Sequence, residues 1–383
     1  MAEPRPAFRL KKELARSIRR GHPWVYRDAL VVSGRPADGA WVDVLGKDGR
    51  YLATGFYDAG SPIAVRLVSS ERQFDWDALV RERLAAALSL RLGRLELDRT
   101  NTFRWVHGEA DRLPGVHVDV YADAVTLRFD GAGARAAYRR LGELVKGLPE
   151  LAVRLVVDRD DRGSGGELEV RENGLKFGVD LGRGQKGGLF LDQRENRAEV
   201  GRRARGLSML NLFGYTGGFS LYAAAGGAER TDTVDVAKPA IAAARRNFER
   251  NELSVAPERA GFHAVDAFDF LEQAKARRQR YGLVVSDPPA FARQRAGLAK
   301  ALAAYRRLHA LAAAVVEPGG VLCAASCSSQ VNRDDFVASV QAGAKAAGRR
   351  FELEELRGAG FDHPVLAAFP EGEYLKFAIG RVR

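Results

Sequence analysis

Asn211-Leu212-Phe213-Gly214-Tyr215-Thr216-Gly217-Gly218-Phe219-Ser220 decides how the chain is read. An apolar run from Ser208 to Phe213 ends in a glycine turn, and a helix-compatible stretch follows at once. Glycines at a strand-to-helix turn let the backbone come close to a ligand. The spacing is not G-x-G-x-x-G, which argues against a clamp on a dinucleotide pyrophosphate. Downstream, Thr231–Asp235, Gly261–Val265, Leu283–Asp287 and Gly320–Ala325 read as further strands with helices between them. Later strands fall near Phe351–Leu356 and Tyr374–Arg381. Strand and helix in alternation predict a mostly parallel sheet covered by helices on both faces.

Each of these strands ends on a polar residue that can face a ligand at the carboxyl edge. Asp235 stands twenty-one residues after Gly214, where a carboxylate can accept from ribose hydroxyls. Asp266 closes the third strand. Ser286-Asp287-Pro288-Pro289-Ala290-Phe291 closes the fourth, and its two prolines carry the chain rigidly out of the sheet. Ser326-Cys327-Ser328-Ser329 closes the fifth. Each Asp alone reads equally as a cap or turn residue; together with the glycine turn they outline a nucleoside pocket.

Upstream the pattern changes. Residues 1–73 form a small β-rich module, with Leu10–Ile18 at helical spacing and strands at Ala40–Leu45, Tyr51–Phe56 and Ile63–Val68. Residues 74–182 read as an α+β domain: a helix from Trp76 to about Leu97, strands at Arg104–His107, Val116–Tyr121 and Ala124–Phe129, a helix over Ala134–Leu148, then strands at Leu151–Asp158, Glu167–Arg171 and Leu175–Leu181. Asp158–Gly166 reads as a polar hairpin tip rather than a metal loop. Residues 183–383 are the parallel-sheet domain, so the chain as a whole is multidomain α/β.

The 383 residues are 46% hydrophobic and 28% charged, which excludes disorder, collagen and a disulfide scaffold. The formal net charge of +11 makes a polyanion a candidate partner. It is clustered: residues 1–35 hold nine basic side chains against three acidic ones. A second cluster (Arg183, Lys186, Arg194, Arg197, Arg202, Arg203 and Arg205, against Asp192, Glu195 and Glu199) precedes the glycine turn. Arg194 and Arg197 divide evenly between positioning RNA or cofactor and structural ion pairs. Aromatics such as Trp24 divide between stacking on bases and packing in a core.

Two cysteines occur, Cys323 and Cys327. Four strand steps place their Cα atoms about 13 Å apart, beyond the ~7 Å reach of a disulfide, so both are expected as free thiols in a reducing compartment. No signal-peptide core and no stretch of ~18 apolar residues is present, so a soluble, cytoplasmic protein without membrane contact is expected. Six histidines without ligand spacing predict no metal site, and no phosphate-binding G-x-x-x-x-G-K-[ST] occurs.

These residues carry a family resemblance. Gly214–Ser220, Asp235, Asp266, Asp287-Pro288-Pro289 and Ser326-Cys327-Ser328 resemble the S-adenosylmethionine-dependent methyltransferases with a Rossmann-like domain. With Gly184-Gln185-Lys186, Phe190-Leu191-Asp192-Gln193-Arg194-Glu195-Asn196-Arg197 and Asp362-His363-Pro364-Val365, the chain resembles the bacterial large-subunit rRNA cytosine-C5 methyltransferases. Gly21-His22-Pro23-Trp24-Val25-Tyr26 resembles that family's PUA domain, an RNA-binding module. Gly187 departs from the family's usual Thr after Gly-Gln-Lys.

The resemblance implies S-adenosylmethionine as cofactor. Gly214, Gly217 and Gly218 would meet its methionine part, Asp235 its ribose and Asp266 its adenine amino group; Phe213, Tyr215, Ala267, Asp287, Gln193 and Arg194 would complete the pocket. Cys327, Asp287 and Pro288 would form the catalytic set. Lys11, Lys12, Arg16, Arg19, Arg20, Trp24, Lys186 and Arg197 would contact rRNA. A C5 methyl transfer needs a thiolate to add first to C6 of cytosine. Methylation of an exocyclic amine, an NAD-dependent dehydrogenase and a non-catalytic RNA-binding protein are the rival readings, with a monomer and a homodimer both open.

Overall fold

The computed structural model describes residues 5–32, 34–160, 166–182, 188–291 and 297–383. By its contacts the chain forms two units. Unit 1 comprises residues 1–168, 181–183 and 361–372, and unit 2 comprises 169–180, 184–360 and 373–383.

Unit 1 holds two sheets. β1 (Ala7–Leu10), β2 (Trp24–Tyr26), β3 (Leu30–Val31), β4 (Trp41–Leu45), β5 (Tyr51–Tyr57) and β6 (Ile63–Ser69) form a mixed sheet in the order β2-β6-β5-β4-β1-β3. Helix α1 (Ala15–Arg19) is a single short turn beside it. Leu10 was expected on that helix; instead it closes β1, where Phe8 and Leu10 alternate inward and Phe8 pairs with Val44 of β4. A strand this short is invisible to periodicity.

The second sheet, β7 (Thr102–His107), β8 (Val116–Tyr121), β9 (Ala124–Phe129) and β10 (Leu155–Asp158), runs in the order β10-β9-β8-β7. Helix α2 (Trp76–Leu92) is capped by Asp75, which accepts from the Ala78 amide, and stops at Gly93 rather than running to Leu97. The single helix expected over Ala134–Leu148 is two, α3 (Ala132–Ala137) and α4 (Leu141–Lys146). Between them Tyr138 turns its ring into the core, 5.0 Å from Trp76 and 5.8 Å from Phe56.

Unit 2 begins with a hairpin, β11 (Glu167–Glu172) and β12 (Leu175–Asp180). The expected domain of residues 74–182 included it, but almost all of the hairpin belongs to unit 2. Helix α5 (Arg194–Arg203) leads into β13 (Ser208–Leu212), α6 (Gly218–Ala225), β14 (Arg230–Asp235), α7 (Lys238–Arg250), β15 (Ala260–Ala264), α8 (Ala267–Ala276) and β16 (Tyr281–Ser286). Helix α9 (Leu298–Ala314), β17 (Val316–Ser326), α10 (Arg333–Ala346), β18 (Phe351–Arg357) and β19 (Lys376–Val382) complete it. Asn247 of α7 and Asn251, which caps that helix, accept from the Gly178 and Lys176 amides, which ties β12 to the body of the unit.

The large sheet runs β15-β14-β13-β16-β17-β19-β18, with β13 to β17 parallel and β19 antiparallel to both neighbours. The strand order reverses at β13, so a crevice opens at the carboxyl ends of β13 and β16. Both faces of the sheet are buried: Leu210, Val284 and Leu322 face one helical layer, and Met209, Leu283 and Cys323 face the other. Among the described residues no helix is long and apolar enough to cross a membrane.

Candidate active site

The turns beyond the parallel strands of unit 2 enclose a cavity of about 510 Å3. Phe213, Gly214, Tyr215, Thr216, Gly218 and Phe219 line it after β13, Asp235, Val236 and Ala237 after β14, and Asp266 and Ala267 after β15. Asp287, Pro288, Pro289 and Ala290 follow β16, and Cys327 follows β17. Leu189, Phe190, Asp192, Gln193, Arg197 and Leu375 complete the wall.

The glycine turn is strained. Phe213 and Tyr215 stand at φ +57° and +46°, conformations that non-glycine residues seldom adopt. Asp235 holds the turn there: its Oδ2 accepts from the Tyr215 amide and its Oδ1 from the Ala237 amide, both at 2.9 Å. A carboxylate has about four acceptor sites, so Asp235 retains capacity for hydroxyl donors. Asp266 caps α8 through Oδ1 alone, accepting from the Phe268 and Asp269 amides at 2.8 and 3.3 Å.

Asp287 is aimed by a relay. Arg357 Nε donates to Asn196 Oδ1 at 3.0 Å, Asn196 Nδ2 to Gln193 Oε1 at 2.7 Å, and Gln193 Nε2 to Asp287 Oδ2 at 3.0 Å. Beside it, the Tyr305 hydroxyl and Ser326 Oγ are 2.8 Å apart, and burial pushes the Tyr305 phenol up to about 12. Cys327 is partly exposed at the cavity, whereas Cys323 is buried and its thiol is pushed up to about 12 by burial. Neither thiol is part of a disulfide.

Several expectations are corrected. Gly217 does not line the cavity: at φ +80° it starts α6, and a Cβ there would stand 2.8 Å from the Ala244 Cβ on α7. Arg194 is also off the wall, buried and paired with Glu195. Arg197, expected to contact rRNA, lines the cavity as a buried ion-pair partner. It is 3% exposed, with Nε and Nη2 on the Glu172 carboxylate at 2.8 and 2.6 Å and Nη1 on the Phe190 carbonyl at 2.9 Å. Arg202 pairs with Glu199, and Arg203 with Glu199, Glu354 and Glu355. Arg194, Arg197, Arg202 and Arg203 of the second basic cluster are therefore each held in an ion pair, in part with acids from outside the cluster.

Trp24 is corrected too. Its indole donates to Glu109 Oε1 at 2.7 Å, and its ring packs on Phe369 with centroids 4.4 Å apart, so its face is committed to unit 1. Lys186, Arg183 and the rest of the Gly184–Gly187 loop lie outside the described residues, as does the tip of the Asp158–Gly166 loop. Lys11, Arg16, Arg19 and Arg20 stand exposed around α1, with Lys12 paired to Asp28. Phe291, the aromatic after Asp-Pro-Pro, packs at a tilt against Tyr305 with ring centroids 4.7 Å apart and is absent from the cavity wall. Among the described residues no group of three or more His, Cys, Asp or Glu side chains is placed to hold a metal ion.

Sequence reasoning missed Val236, Phe190, Asp192 and Leu375 on the wall. Val236 carried a signal in its position directly after Asp235: it is 72% exposed, an apolar side chain at the mouth of the pocket. Asp192 is held by the Tyr374 hydroxyl at 2.6 Å, a pairing that nothing in either local sequence announces.

Comparison with known proteins adds the following. Residues 162–357 match the family model of S-adenosylmethionine-dependent methyltransferases, and residues 8–70 that of PUA-like domains. The ribosomal RNA large subunit methyltransferase I of Vibrio cholerae is 36% identical over 97% of this chain and 98% of its own length. That of Shewanella amazonensis is 36% identical over 98% and 99%. A candidate S-adenosylmethionine-dependent methyltransferase from Streptococcus mutans superposes with a TM-score of 0.85 at 20% identity, covering 98% of this chain and 100% of its own. A candidate methyltransferase complexed with SAH gives 0.85 at 21% identity, over 98% and 99%.

Proposed function

As the chain belongs to the S-adenosylmethionine-dependent methyltransferases, among relatives named ribosomal RNA large subunit methyltransferase I, we propose that it methylates C5 of a cytosine in large-subunit rRNA. The observation that carries this reading is the placement of Cys327 and Asp287 at the ends of neighbouring strands, on the wall of the same cavity as the glycine turn.

The wall suits the cofactor. Gly214 and Gly218 would meet its methionine part, Asp235 its ribose through the acceptor sites left by the two amides, and Asp266 its adenine amine through Oδ2. Val236 offers the purine an apolar face. Bound there, S-adenosylmethionine supplies an electrophilic methyl group on a sulfonium.

Cytosine C5 is too weak a nucleophile to take that group unaided. The Cys327 thiolate forms a bond to C6, the C5–C6 π pair is released, and Asp287 donates a proton at N3, which leaves C5 as the nucleophilic carbon of an enamine. Once C5 carries the methyl group, a base takes the C5 proton, the double bond re-forms, the C6–S bond breaks to return the thiolate, and N3 gives its proton back to Asp287. The Gln193 relay keeps the Asp287 carboxyl aimed throughout. The exposed Lys11, Arg16, Arg19 and Arg20 of the PUA-like module contact the RNA backbone, which positions the substrate without reading its sequence.

Incubating the protein with labelled cofactor and rRNA, followed by nucleoside analysis, tests the reading. The expected product is 5-methylcytosine, and Cys327→Ala should lower turnover by roughly 10³-fold or more. A different methylated nucleoside, or full activity in Cys327→Ala, rejects it. Amine methylation is disfavoured because Phe291 is already committed to Tyr305.

A further inference from the structure

Lys376 is the first residue of β19 and stands directly across from Ser326 of β17, one residue before Cys327. It is 2% exposed, although Leu375 before it and Cys327, the residue after Ser326, both reach the cavity. Its Nζ donates to the carbonyl of Ser328 at 2.5 Å and to that of Tyr374 at 2.8 Å. The ammonium is thus tied to the residue that follows the thiol.

An ammonium withdrawn from water costs several kcal/mol unless an anion matches it. Among the described residues no carboxylate lies within ion-pair distance of Nζ. Two of its three N–H groups rest on neutral carbonyls. The charged and titratable groups around this corner come from several elements: Cys327 after β17, Asp287 after β16, Tyr305 on α9, Glu373 before β19 and Arg333 on α10. Glu373 is engaged by Arg333 at 2.9 Å. Of the anionic groups that act on the buried cation, Cys327 acts most strongly, ahead of Glu373.

We propose that Lys376 is the positioning residue for the nucleophile, a buried counter-charge that holds Cys327 as its thiolate. The proposal rests on the reading of Cys327 as the group that adds to C6. Burial draws the Lys376 ammonium down to about 8, and the field of Cys327 acts in the opposite sense. Such a coupling is mutual: a thiolate that favours the ammonium is itself favoured by it.

The test is the pH dependence of Cys327 alkylation by iodoacetamide, in a Cys323→Ala background that leaves one thiol in the chain. The apparent midpoint should lie below the ~8.5 of a free cysteine. Lys376→Met should raise it by about one unit or more, and Lys376→Arg should return it close to the starting value. Circular dichroism and calorimetric cofactor binding report whether each variant folds. A midpoint at or above ~8.5 in the unmodified Lys376 protein overturns the proposal without any lysine variant. So does a midpoint that does not move in folded Lys376→Met. If Cys327→Ala retains methyl transfer while the midpoint still follows Lys376, the covalent mechanism falls and the charge coupling stands.

Discussion

Gln193 shows how a side chain can sit on a cavity wall and act away from it. The Asp-Gln-Arg motif marked it as a cofactor contact, yet its amide donates to Asp287 and is itself held by Asn196. Gln193→Leu keeps the volume and breaks the relay. We expect the single-turnover rate to fall roughly tenfold to a hundredfold, because the reacting carboxyl loses its aim, while calorimetric cofactor affinity changes little. An equal loss of affinity would return Gln193 to the cofactor. The same limit applied to Arg194 and Arg197. Counting charges cannot say which acid a base will meet, and Glu172 lies 25 residues from Arg197. Lys376 is 49 positions beyond Cys327, and only the register of two antiparallel strands brings them together.

Among the elements, the five parallel strands were legible because each closes on Gly, Asp or Ser before a helical stretch, and the observed ends lie within a few residues of those expected. β1 to β3 were not, since strands of two to four residues offer too few positions for a period to show. Nor was the break between α3 and α4, because apolar spacing continues across it. The glycine turn was legible in existence but not in detail: Gly217 serves the packing of the turn on α7 rather than the ligand. Gly217→Ala forces an L side chain to φ +80° against Ala244. It should cost about 1–3 kcal/mol and weaken cofactor binding, read by thermal unfolding and calorimetry. Ala244→Gly in the same chain removes the opposing Cβ and should recover part of the loss; no recovery would show that backbone strain alone is responsible.

At the scale of the molecule, each unit buries a neutral histidine. Burial draws His117 in unit 1 and His309 in unit 2 down to about 4. Unfolded, both take up a proton near pH 6.5. Between that value and about 4 the unfolded chain therefore binds more protons, so stability falls as pH drops through the window and recovers as it rises. At pH 5 the loss from His309 is about 2 kcal/mol in unit 2, and unit 1, where burial draws His107 down as well as His117, loses more. Thermal unfolding should show a lower Tm at pH 5 than at pH 7.5, and His309→Phe should flatten the dependence of unit 2; an equal or higher Tm at pH 5 would refute the account. The net charge of +11 also changes meaning: four arginines before the glycine turn are held in ion pairs, whereas Lys11, Arg16, Arg19 and Arg20 stand exposed around α1. One feature of the chain path bears on its birth. Arg91, fully buried, donates to the Asp362 carbonyl, and the Arg104 amide donates to the Asp362 carboxylate, so unit 1 needs a strip from near the other end of the chain. As the polypeptide leaves the ribosome, its first-made unit must wait, unfinished, until residues 361–372 have been added. A fragment cut at the apparent boundary near residue 182 would remain short of its own final piece.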